Sequence, residues 1–310
     1  MKPLQLGGLG ALLLLLLGAA PQPPPRLLGL SHVAFRVSDM ERSRAFYDGF
    51  LGYTAVSPMA ATSGPQRLLL LVGDRQYLEL VAGLDPTQDR LDHVAFVTDD
   101  EAATRSRLAA RGAKWMEARE AGGNPALVGA DPEGRGLEIV EHAPNGWPRA
   151  FVSRSGGARA ISTRIMHAGV LVGDLEAANA FYGGRLGLEE TWRGGRDAVL
   201  NWTNMRVPNG DDYVEFMLYG DLPAPNARGT AHHICLEVKD IEQAKARLVE
   251  RPYAKDYGRP LEIRTGVNRK RQLNLYDPDG TRVELMEPVT VDGQPAPRST
   301  AAPPRPGARR

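Results

Sequence analysis

Four of the chain's six histidines head similar short runs: His32 in LSHVAFRV (30–37), His93 in LDHVAFVT (91–98), His167 in IMHAGVLV (165–172) and His233 in AHHICLEV (231–238). After His32, Val33, Phe35 and Val37 fall on one face, and His32, Ala34 and Arg36 share the other. That is the period of a half-buried strand. An imidazole can ligate a metal ion or move a proton near neutral pH. One histidine heading a strand is usually just a satisfied polar group. Four in matching contexts direct attention to the elements that hold them.

Those elements repeat. After His32 comes SDMERSRAFYDGFLGY, and after His167 comes GDLEAANAFYGGRLGL. Phe-Tyr begins 14 residues after each histidine, at 46 and 181, and Leu-Gly begins 19 after it, at 51 and 186. Asp39 and Asp174 are natural helix N-caps, with glycine near the stop. RLLLLVG, QYLELVAG, AVLNWTNMRV and DYVEFMLYG read as strands. The runs at His93 and His233 are followed by helical segments, DDEAATRSRLAARG and KDIEQAKARLVER. They close with ADPEGRGLEIVE and YDPDGTRVELME, where Asp-Pro-x-Gly turns into a last strand. The chain therefore reads as an α+β protein of four βαβββ modules, two per domain. The Gly-, Pro- and Ser-rich stretch at 142–160 marks the boundary. The expected units are 27–145, a linker 146–160, and 161–290.

Length and composition fit two cores. The chain has 310 residues, 42% hydrophobic and 24% charged, and a net charge of +1 that gives no hint of nucleic-acid binding. Residues 1–26 hold an apolar run too short for a comfortable membrane span, followed by a proline-rich stretch. They read as an export signal or an N-terminal anchor, placing the protein in the periplasm or outside the cell. The single cysteine, Cys235, excludes an intrachain disulfide. The segment 291–310, rich in Pro, Ala and Arg, is expected to be disordered. His142 and His232 are read as solvated, and Glu141 and Glu287 as surface charges on the far strand face. RTGVNRKRQ (264–272) places four basic residues on a hairpin near the second cleft. A monomer or homodimer acting on a small molecule is expected.

The histidine, Phe-Tyr and Leu-Gly run resembles the opening signature of the vicinal oxygen chelate superfamily, over roughly 30–145 and 162–288. It departs only at Tyr53 in the first copy and Ala168 in the second. That superfamily includes glyoxalase I, methylmalonyl-CoA epimerase, extradiol dioxygenases and antibiotic-sequestering proteins. The resemblance implies a ligand set of His32, Glu79, His93 and Glu138 in the first domain and His167, Glu215, His233 and Glu284 in the second. YLEL matches YVEF, and each closing glutamate lies seven residues after its turn aspartate, 131 to 138 and 277 to 284. Such ligands suit divalent Zn, Ni, Co, Mn or Fe.

Within that family three activities compete. Proton abstraction beside a carbonyl uses two carboxylates per site; Glu284 is the leading base here and Glu215 the second. Extradiol cleavage by Fe(II) needs two histidines and one glutamate, with a histidine and a tyrosine before the Asp-Pro turn. The tyrosine position is Asn274 here, and no histidine follows His233. The third activity is ligand sequestration, whose proteins generally lack a full ligand set. The residues favour a glyoxalase- or epimerase-like lyase or isomerase. Short joins inside each half predict that consecutive modules pair, giving two self-contained clefts in halves that fold separately.

Overall fold

The computed structural model describes residues 23–57, 64–148 and 159–307. Most of the expected export segment lies outside them. Among the described residues no helix is long and apolar enough to cross a membrane.

The four modules are present. The first is β1 (Leu27–Val37), α1 (Met40–Arg44), β2 (Thr54–Val56), β3 (Arg67–Leu71) and β4 (Tyr77–Ala82); the second is β5 (Leu91–Thr98), α2 (Glu101–Ala110), β6 (Met116–Arg119), β7 (Pro125–Ala130) and β8 (Gly136–Glu141). The third is β9 (Ile165–Val172), α3 (Leu175–Ala178), β10 (Glu189–Arg196), β11 (Val199–Arg206) and β12 (Tyr213–Leu218); the fourth is β13 (His233–Glu237), α4 (Ile241–Val249), β14 (Ile263–Thr265), β15 (Lys270–Tyr276) and β16 (Arg282–Thr290). Each of these four α-helices starts at an aspartate, Asp39, Asp100, Asp174 or Asp240, whose carboxylate accepts a backbone N–H of the first turn. Such a cap contributes about 1 kcal/mol.

Consecutive modules share one sheet. The strand orders are β2-β3-β4-β1-β5-β8-β7-β6 and β10-β11-β12-β9-β13-β16-β15-β14. Modules join through antiparallel β1–β5 and β9–β13, flanked by parallel β1–β4, β5–β8, β9–β12 and β13–β16. The four central strands of each sheet thus bring one module's first and last strands beside the other's.

The halves are not separate bodies. One continuous core runs through both, including Phe46, Phe50 and Leu127 from one and Phe181, Phe216 and Ile241 from the other. Phe50 packs on Tyr253 and Tyr257, with ring centroids 5.2 and 4.9 Å apart. Tyr47 donates to Asp277 at 3.2 Å and Tyr182 donates to Asp131 at 3.0 Å. Gly173 N donates to Glu133 at 2.6 Å, and Ser38 N to Asp279 at 3.0 Å. Against the expectation that each half folds by itself stands this shared core, in which residues of each half pack on the other.

Other expectations change as well. Residues 292–307 are not free. Ser299 N donates to Arg193 O at 2.9 Å, Leu200 N to Ala302 O at 2.9 Å, and Gly307 N to Asp221 at 2.6 Å. Backbone pairing to β10 and β11 orders this tail, where composition alone predicted disorder. Trp147, inside the expected linker, is fully buried against Tyr77, Leu69 and Leu71.

Candidate metal centres

Each central strand supplies one of the eight expected side chains. In the first sheet His32 lies opposite Ala95 and His93 opposite Ala34, while Glu79 and Glu138 flank them from β4 and β8. Period-two alternation puts all four on the sheet's concave face. The Nε2 atoms of His32 and His93 are 2.8 Å apart. Glu79 Oε2 is 3.7 and 3.8 Å from them, and Glu138 Oε2 is 3.6 and 3.8 Å. In the second sheet the Nε2 atoms of His167 and His233 are 3.0 Å apart. Glu284 Oε2 lies 3.4 and 3.6 Å from them, and Glu215 Oε2 3.9 and 3.5 Å. Room for the His233 ring is made by Gly169, where a Cβ would come within 1.9 Å of its Cε1.

Both sets fit a divalent cation. Donor atoms 2.8 to 3.9 Å apart match the spread around an ion bonded at about 2.0–2.2 Å. Glu138 Oε2 is buried with no hydrogen-bond partner. Two buried carboxylates facing two imidazoles also need positive charge. In the first set Arg67 pairs with Glu79. Burial opposes a proton on His93, but Glu138, Asp92 and Glu79 overcome it and raise that imidazole to about 9. Burial, then the His93 charge, holds His32 well below its ordinary value. In the second set burial, followed by the Arg282 guanidinium, lowers His233 to about 3. Burial raises Glu215. Burial also opposes ionisation of Glu284, yet hydrogen bonds from His167 and His233 and the Arg282 charge hold it well below the carboxylate range.

The surroundings of the two centres differ. In the first, His32, stacked on Tyr77 at 4.3 Å, and Glu79 are almost fully buried, while Glu138 keeps part of its side chain exposed. Its imidazoles are also held from behind. Ser31 Oγ is 3.2 Å from His32 Nδ1 and 2.9 Å from His142 Nε2, and Asp92 is 3.0 Å from His93 Nδ1. The second centre opens onto a pocket of about 290 Å³ whose lining includes Trp192, Trp202, Glu215, Arg282 and Glu284. There His233 Nδ1 meets Ala231 O at 2.7 Å, while His167 Nδ1 has no partner.

Several residues take places the sequence did not suggest. His142 and His232 are buried, not solvated; His232 lies 3.1 Å from Asp89. Glu141 and Glu287 accept the first N–H groups of α2 and α4, from Glu101 at 2.9 Å and Ile241 at 3.0 Å. Cys235 is fully buried beside His167 and Glu284. Of the four basic residues on the 264–272 hairpin, only Arg264 lines the pocket. Tyr77 and its counterpart Tyr213, 4.6 Å from the His167 ring, stand two residues before Glu79 and Glu215. That shared Tyr-x-Glu spacing was a readable signal for the residue beneath the first histidine.

Residues 164–285 match the model of the Glyoxalase/Bleomycin resistance protein/Dioxygenase superfamily, and 32–140 match that of a Glyoxalase-like domain. The chain belongs to this family, the vicinal oxygen chelate superfamily, as a two-domain member. Among solved structures it is similar to a variant of homoprotocatechuate 2,3-dioxygenase from B.fuscum, at 19% identity and TM-score 0.66, covering 91% of this chain and 77% of that one. It is also similar to a catechol 2,3-dioxygenase (16%, TM-score 0.64, covering 90% and 92%) and to the Mn(II)-bound glyoxalase from Novosphingobium aromaticivorans (16%, TM-score 0.62, covering 90% and 89%). No curated protein sequence matches the chain significantly.

Proposed function

We propose that the protein is a metal-dependent lyase or isomerase of the glyoxalase type that reacts in its second domain, removing a proton beside the carbonyl of a hydroxycarbonyl substrate. Two glutamates together with two histidines at an open pocket carry this reading, because proton abstraction needs one carboxylate to hold and another to shuttle. His167, His233, Glu284 and Glu215 would hold a divalent ion, which when bound supplies Lewis-acid polarisation of the substrate oxygens.

Glu284, close to both histidines, is the holding carboxylate. Glu215, on the pocket wall beside Trp202, takes the proton from carbon and returns it. The sequence put Glu284 first for this role, and the contacts favour the exchange. Trp192 and Trp202 keep water from the exposed carbanion. The first-domain set, with His32 stacked on Tyr77 and its imidazoles backed by Ser31 and Asp92, is assigned a structural role.

The test is solvent-deuterium exchange into an α-hydroxyketone, followed by proton NMR, with protein loaded with Ni, Co or Zn. Loss of the α-proton signal is expected. Metal-loaded protein without exchange would overturn the reading, and oxygen uptake with Fe(II) would replace it by ring cleavage. Export through residues 1–26 is a separate proposal. N-terminal sequencing of secreted or periplasmic protein checks it.

A further inference from the structure

The second-domain pocket contains a positive charge that has no counterpart at the matching position of the first domain. Arg282 heads β16, beside His233 in register. The corresponding residue beside His93 is Gly136. The guanidinium therefore belongs to this pocket and not to the repeated fold. Its Nη2 lies 2.7 and 3.0 Å from the two ring nitrogens of His233, and its Nε is buried without a partner. Among the described residues it has no ion pair with a carboxylate. The neighbouring arginines differ: Arg264 pairs with Glu262 and Arg271 with Glu287.

A second cation stands at the rim. The Asp197-Ala198 turn, with φ of 53° and 59°, makes the tight hairpin that joins β10 to β11. It sets Arg196 over the Trp202 ring at 5.6 Å. Arg196 likewise has no carboxylate partner among the described residues. Trp192 and Trp202 line the same pocket. Asn274, paired across strands with Glu284, offers a buried Oδ1 without a partner.

We propose that this pocket takes a planar, carboxylate-bearing hydroxycarbonyl: Arg282, assisted by Arg196, receives the carboxylate, the tryptophans receive the flat body, and Asn274 accepts from a hydroxyl. A neutral substrate would leave the buried Nε of Arg282 without an acceptor, which is costly. The inference deepens the proton-abstraction reading and rests on it for the substrate's vicinal oxygens.

Binding tests it without turnover. Tryptophan fluorescence of the metal-loaded full chain is titrated with 4-(hydroxyacetyl)benzoate and with its methyl ester. The acid is expected to bind about tenfold more tightly or better, as a charge-assisted hydrogen bond implies. Arg282→Met should erase the preference while leaving ester affinity unchanged, and Arg282→Lys should restore part of it. Should Arg282→Met lose its metal, Arg196→Met provides the same comparison, and an undiminished preference there overturns the proposal. Equal affinity of acid and ester in the unaltered protein also overturns it. Absence of deuterium exchange would count against proton abstraction and leave this preference standing.

Discussion

Tyr47, in the first module, donates its hydroxyl to Asp277 in the closing turn of the fourth at 3.2 Å, and the pair is buried. Tyr182 and Asp131 repeat the contact between the third and second modules at 3.0 Å. The tyrosine of each Phe-Tyr step thus reaches the turn aspartate of the opposite half. Strand pairing is consecutive, whereas helix packing is exchanged.

Removing the Tyr47 hydroxyl leaves the buried Asp277 Oδ2 short of a donor, whereas Asp131 Oδ2 keeps Arg135 when the Tyr182 hydroxyl is removed. Tyr47→Phe should destabilise the protein by about 1–3 kcal/mol and Tyr182→Phe by less. Urea unfolding of the single and double variants checks this. Separate transitions for the two halves would contradict the common core.

Asp277 also gives a pH dependence. Burial raises its carboxyl to about 6, against the lowering effect of donors Thr281 N, Tyr47 and Asp279 N. A raised carboxylate means that the folded state holds the proton more tightly than the unfolded one. Its stabilising contribution is therefore full below the unfolded value of 3.8 and is lost as pH rises through about 6. Asp277→Asn should gain stability relative to the unaltered protein between about pH 4 and pH 8, on the order of 3 kcal/mol. Unfolding curves of both proteins at the two pH values measure that difference, and no change between them would refute it.

Residues 159–307 expressed alone contain all four second-domain donors but only half of the core. The fragment should be insoluble or bind a hydrophobic dye until co-expressed with residues 23–148. A soluble, cooperatively unfolding fragment would show that the shared core is dispensable.

His233→Ala should remove metal from the second centre while leaving the strand folded, since Ile234 and Leu236 remain fully buried. Metal analysis together with circular dichroism tests this. If metal content is unchanged, His233 is not a ligand.

Glu215→Gln should retain metal and lower exchange by about 10²–10⁴, the usual cost of losing a general base. Glu284→Gln should lose metal first. The opposite pattern returns the base role to Glu284.

The repeat made much of this legible. Histidine-to-Phe-Tyr spacing marked the modules, and the family resemblance, with matching YLEL and YVEF contexts and turn-to-glutamate offsets, named the eight candidate positions that the sheets bring together. What stayed hidden depends on contacts far apart in sequence. Nothing local distinguishes Tyr47 as a partner of Asp277, or Arg282, with its Nε buried, from a solvated arginine. His142 is buried and meets Ser31, 111 residues away, at 2.9 Å. The tail is ordered because β10 and β11 offer it free backbone groups, which composition cannot register.

The exchanged packing also bears on motion. A protein of two independent lobes can admit substrate by hinging them, with a few backbone torsions absorbing the change. Here such a swing would break both tyrosine–aspartate pairs and part Phe50 from Tyr253 and Tyr257 at once. Entry to the second pocket is then left to its own wall, the β10–β11 hairpin. Trp192 on that wall is tethered through its indole N–H to Pro297 O at 2.8 Å. The tail thus braces one wall of the second pocket, apart from the interface that joins the halves.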